Sequence, residues 1–215
     1  MIRLDIFSDP VCPWCFIGKA NLDRALQDHP VNPFAIQWHP FQLNPDLPPE
    51  GMPKRAYLEA KFGGPAKVDA IHGRLREASR AAGVTMDPDI PQRMPNTLNA
   101  HRLIHWAEIE GRQPDVVDRL MRAYWAEGRD IGALETLAGI AGEAGMDRAA
   151  TLRLLHSDAD AEDIAARDAD ARAKGVTAVP TFLVAQQYVV SGAQPPELWA
   201  KVIADLTPPD ESSLN

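Results

Sequence analysis

Apolar and polar positions along this chain repeat with two different periods, and the changes of period mark its elements. Ile2 to Phe7 is a short apolar run of strand type, while Phe16 to Leu26 carries apolar residues at helical intervals with Lys, Asn, Asp and Arg between them. Phe34-Ala35-Ile36-Gln37-Trp38, bounded by Pro30 and Pro33 before it and Pro40 after it, reads as a second strand. Strand, helix and strand in that order make a β-α-β unit, whose two strands are expected to pair in parallel. Asn44 to Pro53 is rich in proline, which blocks both helix and ladder, so the chain is expected to leave the sheet there.

From about residue 54 to about residue 173 the pattern is almost wholly helical, with no strand of convincing alternation. Ala100, Leu103, Ile104 and Ala107 follow the i, i+3, i+4, i+7 spacing of one helix face. So do Val117, Leu120, Met121 and Tyr124, and then Leu134, Leu137, Ala138 and Ala141. Each stripe predicts a core face rather than a cofactor site. A helix is expected over Asp158 to Lys174, because the segment begins with acids, ends with Arg172 and Lys174, and stops at Gly175. Beyond it, Phe182 to Val184 reads as a strand, Gln186-Gln187 as a turn, Tyr188 to Val190 as the hairpin partner, and Pro196 to Leu206 as a terminal helix. The predicted order is β-α-β, a run of helices, then β-β-α.

Composition narrows the class. At 215 residues the chain can build one core, or one domain carrying a large insertion. Apolar residues at 45% and charged residues at 24% exclude disorder except at the ends. A net charge of −8 and no basic run argue against nucleic acid as a partner. No segment approaches 18 uninterrupted apolar residues, so no membrane partner is expected. Met1-Ile2-Arg3-Leu4-Asp5 passes directly into the first strand without a leader pattern, and the expected location is the cytoplasm.

The chemistry concentrates in Asp9-Pro10-Val11-Cys12-Pro13-Trp14-Cys15, which holds the two cysteines of the chain three positions apart. The pair sits where a strand turns into a helix. Pro13 suits the first helical position, which puts Cys12 at the cap, with its sulfur expected to face solvent. The unpaired N–H groups of a helix start stabilise an anion there, the Cys12 thiolate. Two sulfurs one helical turn apart can close a disulfide, so thiol-disulfide exchange through a mixed disulfide is the expected chemistry. A zinc site would need two histidines as well, His101 and His105 at i, i+4 being the candidates. A structural disulfide across four residues would gain little from loop closure. In a reducing compartment a single C-x-x-C pair points to catalysis or redox sensing.

Ser8 to Gly18 resembles the active-site segment of the DsbA-like family, in its FrnE-type cytoplasmic branch. Trp38-His39-Pro40-Phe41-Gln42-Leu43-Asn44-Pro45, Asn96 to Leu103, and Gly175-Val176 with Val179-Pro180-Thr181-Phe182 are similar to that branch in residue type and order. The resemblance spans nearly the whole chain. It implies an α/β fold of the thioredoxin type interrupted by a large all-helical insertion, with Cys12 as nucleophile, Cys15 as resolving thiol and a cis bond before Pro180. The corresponding division is a thioredoxin-like part over 1–50 and 174–207, a helical insertion over 51–173, and a flexible tail over 208–215. Ala178 stands where the branch more often has Gly, which bears on the shape of that loop. No cofactor beyond the redox-active pair is implied, and the expected partners are protein or small-molecule thiols and disulfides. The oligomeric state is left open, a dimer among the options.

Kappa-class glutathione transferases and 2-hydroxychromene-2-carboxylate isomerases resemble the chain in fold but use serine at the Cys12 position. Retention of both thiols favours redox chemistry, with a glutathione-dependent transferase or isomerase as the alternative and glutathione as a candidate co-substrate. A redox-gated binding protein or a zinc-binding C-x-x-C protein is a further alternative. Around the pair, Trp14 is expected to be a partly exposed substrate contact, and it supplies no imidazole to the thiolate. The Val179 backbone N–H and C=O are expected to point outward, for pairing with an extended substrate. Asp9 reads as a turn residue whose carboxylate would oppose ionisation of a nearby thiol. Asp5 reads either as a proton relay to Cys15 or as a residue on an exposed strand face. Asn96, Thr97 and His101 are candidates for the groove beside Cys12, with Asn96 read equally well as the cap of a helix starting at Thr97 and His101 as a packed helix residue.

Overall fold

The computed structural model describes residues 1–206, so the tail expected over 208–215 lies outside the described residues. Strand β1 (Ile2–Ser8) leads into helix α1 (Pro13–Gln27) and returns through β2 (Phe34–Pro40). The two strands pair in parallel over their full length, from Ile2 opposite Phe34 to Ser8 opposite Pro40. Leu4 and Ile6 on one face of β1 are completely buried.

A short ladder follows, in which β3 (Met52–Pro53) pairs antiparallel with β4 (Arg93–Met94). This corrects the expectation of a stretch without strands. The pairing is invisible in sequence because a ladder of two residues has no period to read. Helices α2 (Lys54–Phe62) and α3 (Pro65–Ala81) lie between the two short strands. Then come α4 (Leu98–Ile109), α5 (Gln113–Trp125), α6 (Leu134–Glu143), α7 (Arg148–Leu155) and α8 (Ala161–Ala173).

The three predicted stripes are core faces: Ala100, Leu103, Val117, Leu120, Met121, Leu137 and Ala138 are all fully buried. Burial of these faces is what holds short helices in place, since each would be marginal alone in water. Helix α8 begins at Ala161 rather than Asp158, because Asp160 adopts a left-handed φ of 59° and breaks the run. At its other end Gly175 takes φ +95°, the conformation a glycine stop supplies.

Strand β5 (Thr181–Val184) then pairs antiparallel with β1, and β6 (Tyr188–Ser191) pairs antiparallel with β5. The sheet order is β2-β1-β5-β6. Three residues, Ala185 to Gln187, connect the paired Val184 and Tyr188; Ala185 and Gln186 take positive φ and Gln187 N–H donates to Val184 O at 3.0 Å, so the turn centres one residue before the expected Gln186-Gln187. Helix α9 (Pro196–Leu206) packs on α1, and its Trp199 meets Phe182 of β5 edge to face, ring centroids 4.7 Å apart. Helices α4 and α8 pack against β2. This is the thioredoxin fold interrupted by a run of helices between β2 and β5.

Two side chains tie that run to the β1-α1-β2 unit. Gln113 of α5 mimics a neighbouring strand, its Oε1 accepting from Trp38 N at 2.9 Å and its Nε2 donating to Trp38 O at 3.1 Å. Lys19 of α1 reaches Asp118 of α5 at 2.9 Å as well as Asp23 on its own helix at 2.7 Å.

Candidate active site

Cys12 caps α1 with extended backbone, and Pro13 opens the helix. The Cys15 backbone N–H donates to Cys12 Sγ at 3.4 Å, the contact expected of a helix start that receives an anion. Across the sheet, the Cys12 thiol donates to Val179 O at 3.5 Å, and the Val179-Pro180 peptide bond is cis. Both cysteines are free thiols. Two sequence expectations are corrected here. The Cys12 sulfur does not face solvent, since the residue is only 3% exposed beneath the Val179 loop and the insertion. Nor does the Val179 carbonyl point outward, since Cys12 takes it. Ala178 has no positive φ, so this loop requires no glycine at that position. Gly18 lets the loop approach: a Cβ there would lie 3.1 Å from Pro180 Cγ and 3.3 Å from Ala193 Cα.

Asp9 lies behind the pair and is completely buried. As expected of a turn residue, its Oδ1 accepts from Val11 N at 3.3 Å. Its Oδ2 accepts from Leu43 N at 2.7 Å and from the Thr97 hydroxyl at 3.3 Å. Burial pushes its carboxyl up to about 7, against the pull of those donors, and the charge of Asp168 adds to the rise. Cys15 is pushed well above an ordinary thiol by burial, then by its hydrogen bond to Cys12 and the Cys12 charge. The Asp9 backbone N–H pulls the other way and the Asp9 carboxylate adds a smaller push.

Asp5 takes no part in this. Burial opposes its ionisation, yet hydrogen bonds from Arg3 at 2.9 Å and His39 at 2.6 Å hold its carboxyl below the usual range. The relay to Cys15 considered for Asp5 is overturned, because its neighbours are Arg3 and His39.

Asn96, Thr97 and His101 also do not line the groove beside Cys12. Asn96 accepts from Leu98 N at 3.0 Å and donates to Leu47 O at 2.7 Å, fastening the proline-rich segment to the start of α4. The helix starts at Leu98, one residue later than expected, with Thr97 at the cap and its hydroxyl turned to Asp9 instead of to the helix. His101 is buried with its Nε2 unpaired, 3.9 Å from Asp9 Oδ1. Burial lowers it to about 4, so near neutral pH the contact is not an ion pair. Among the described residues no group of three or more His, Cys, Asp or Glu side chains is placed to hold a metal ion, which removes the basis for zinc with His101 and His105.

What does lie beside Cys12 is a cavity of about 330 Å³, walled by Cys12, Pro13 and Trp14 on one side, the Val179 loop on another, and α2 and α3 opposite. Trp14 is 42% exposed at its rim. Trp125 closes the back, and its Nε1 donates to Pro10 O at 3.2 Å, which fixes the redox loop against α5. Lys54 also lines this cavity and was missed in the sequence. A lysine after Pro53 at the start of a helix reads as a solvated residue, and nothing in the local pattern signals that it is 3% exposed.

The match to known proteins agrees with this geometry. The model of the DSBA-like thioredoxin domain matches residues 3–204. The chain belongs to the DSBA-like thioredoxin family. Within it, the probable DsbA oxidoreductase SCO1869 from Streptomyces coelicolor has a TM-score of 0.87 at 30% identity, covering 95% of this chain and 89% of that one. The uncharacterised protein YwbO of Bacillus subtilis (strain 168) is 27% identical over 206 residues, covering 95% of this chain and 96% of its own. The cytosolic disulfide reductase DsbM from Pseudomonas aeruginosa shares the fold, with a TM-score of 0.67 at 19% identity over 94% of this chain and 97% of that one. Among the described residues of this DSBA-like chain, no helix is long and apolar enough to cross a membrane.

Proposed function

We propose that this protein is a thiol-disulfide oxidoreductase in which Cys12 is the nucleophile and Cys15 the resolving thiol. The observation that carries the reading is the asymmetry of the pair. Cys12 borders the cavity and receives a helix N–H, whereas Cys15 does not border it and its ionisation is suppressed. The Cys12 thiolate attacks one sulfur of a substrate disulfide, the substrate S–S bond breaks, and one substrate thiolate leaves and takes up a proton. Cys15 then gives its proton to the Asp9 carboxylate and attacks Cys12 Sγ; the Cys12–substrate bond breaks, the second substrate thiolate leaves and takes up a proton, and Asp9 returns its own to solvent. The pair ends oxidised by two electrons, the substrate reduced by two, and an external dithiol restores the pair.

The substrates are protein or small-molecule disulfides, the chain needs no cofactor beyond its thiols, and it works in the cytoplasm. The resemblance to a reductase named as cytosolic supports that setting. The test is dithiol-dependent reduction of a model disulfide by the purified protein. Cys12→Ser is expected to abolish it, and Cys15→Ser to stall at a mixed disulfide on Cys12. Full activity of Cys12→Ser would overturn the reading, and glutathione conjugation at full rate in Cys15→Ser would establish the transferase alternative.

A further inference from the structure

Lys54 is the feature that disulfide exchange alone leaves unexplained. The residue is 3% exposed, yet no carboxylate stands within ion-pair distance of its ammonium among the described residues. Its Nζ donates to Pro88 O at 2.5 Å and lies 4.8 Å from the centre of the Trp125 ring and 5.7 Å from that of Tyr124. Burying an ammonium in this way is unfavourable unless an opposite charge compensates it. Burial lowers it to about 8, with the charge of Asp87 opposing, so the group is still mostly a cation at neutral pH.

The rest of the cavity wall sharpens the point. It includes Leu58, Phe62, Val68, Ile71, Leu75 and Met94, a surface suited to an apolar body. A second cation, Lys61, stands on the same wall and donates to Asn44 Oδ1 at 2.9 Å and Tyr57 Oη at 3.0 Å, again with no carboxylate partner. His72 is already paired with Asp89 at 2.7 Å. No aspartate or glutamate lines the cavity. In a chain of net charge −8, the two lysines on the wall of this pocket beside the nucleophile are thus cations without a carboxylate partner, set among hydrocarbon and a few neutral polar groups.

We infer that this cavity takes a low-molecular-weight thiol or disulfide with an apolar body and one carboxylate-type anion, which Lys54 receives while the sulfur meets Cys12. The inference rests on the oxidoreductase reading for the role of Cys12 and adds the substrate class. Glutathione, with two carboxylates but an ammonium for which the wall offers no acidic side chain, is the competing ligand that the test includes. About 330 Å³ suits a molecule of one or two rings.

Two measurements test it. The first is protection of Cys12 from alkylation by neutral iodoacetamide, comparing naphthoate with its uncharged analogue naphthamide on the wild-type protein. Naphthoate is expected to protect at about tenfold lower concentration, the worth of one charge-assisted hydrogen bond. Lys54→Met, close to lysine in shape but uncharged, is expected to bring the two within about twofold. Equal protection in the wild type overturns the inference without any variant, as does a preference that survives Lys54→Met. Protection by S-methylglutathione, which can neither exchange with Cys12 nor consume the reagent, at lower concentration than naphthoate overturns it too. The second is turnover of an aromatic disulfide with ring carboxylates against an uncharged one, where Lys54→Met is expected to lower the ratio of kcat/KM about tenfold. An unchanged ratio overturns the inference. If no disulfide is turned over at all, the oxidoreductase reading falls while the protection experiment still decides the ligand class.

Discussion

Asp9 Oδ1 and His101 Nε2 stand 3.9 Å apart across the junction between the redox loop and α4, each in a fully buried side chain. Burial moves them in opposite directions, Asp9 up to about 7 and His101 down to about 4, so both are mainly uncharged in mildly acid solution. The junction thus holds two titratable groups whose effects on stability have opposite sign.

The first prediction follows from those signs. Between about pH 4 and 7 the unfolded chain has lost the Asp9 proton that the folded protein keeps, so this group makes stability fall as pH rises. Between about pH 4 and 6.5 the unfolded chain binds a proton on His101 that the folded protein does not, so this group makes stability rise. The two largely cancel in the wild type. Asp9→Asn removes the falling contribution and is expected to gain stability on the wild type from about pH 5 to about pH 7, by on the order of a few kcal/mol. Urea unfolding at the two pH values checks it, and parallel pH dependence of wild type and variant would contradict it.

The second prediction separates the two chemical steps. If Asp9 accepts the Cys15 proton, Asp9→Asn slows resolution of the mixed disulfide by roughly ten- to a hundredfold and slows the first attack by Cys12 much less. The wild-type resolution rate is expected to rise through about pH 7, where Asp9 ionises, and the variant to lack that inflection. Rapid-mixing kinetics with a chromogenic disulfide resolves both phases. A shared loss in both phases with an unchanged pH profile would make Asp9 purely structural.

The third prediction concerns the approach of α1 to the Pro180 loop. At Gly18 a Cβ would sit 3.1 Å from Pro180 Cγ, so Gly18→Val must push the helix and the loop apart, at a cost of roughly 1–3 kcal/mol. Gly18→Ala gains about 1 kcal/mol of helix propensity against a milder clash and is expected to stay near the wild type. The Cys12–Val179 contact should loosen in the valine variant alone, read as a change in Cys12 alkylation rate beside thermal unfolding. Equal melting temperatures for glycine and valine would refute the close approach.

By itself the sequence determined whatever rests on neighbours along the chain. The strand and helix periods, the Pro13 helix start, the cap position of Cys12, the hairpin before α9 and the buried stripes of α4, α5 and α6 are local properties, and the structure keeps them. The fold class and the family came from the resemblance of Ser8 to Gly18, Trp38 to Pro45, Asn96 to Leu103 and Val179 to Phe182 to DsbA-like proteins. The tertiary structure decided which groups lie together. Asp5 and Asp9 differ little as letters, but sheet pairing puts Asp5 beside Arg3 and His39, while the strand-to-helix turn sinks Asp9 behind Cys15. Asn96, Thr97 and His101 stand in the right segment for a groove, yet α4 packs with that end against the redox loop, so they back the site instead of lining its cavity. Lys54 became visible only when α2 closed over Trp125, because burial of a charge depends on residues distant in sequence and no local pattern encodes it.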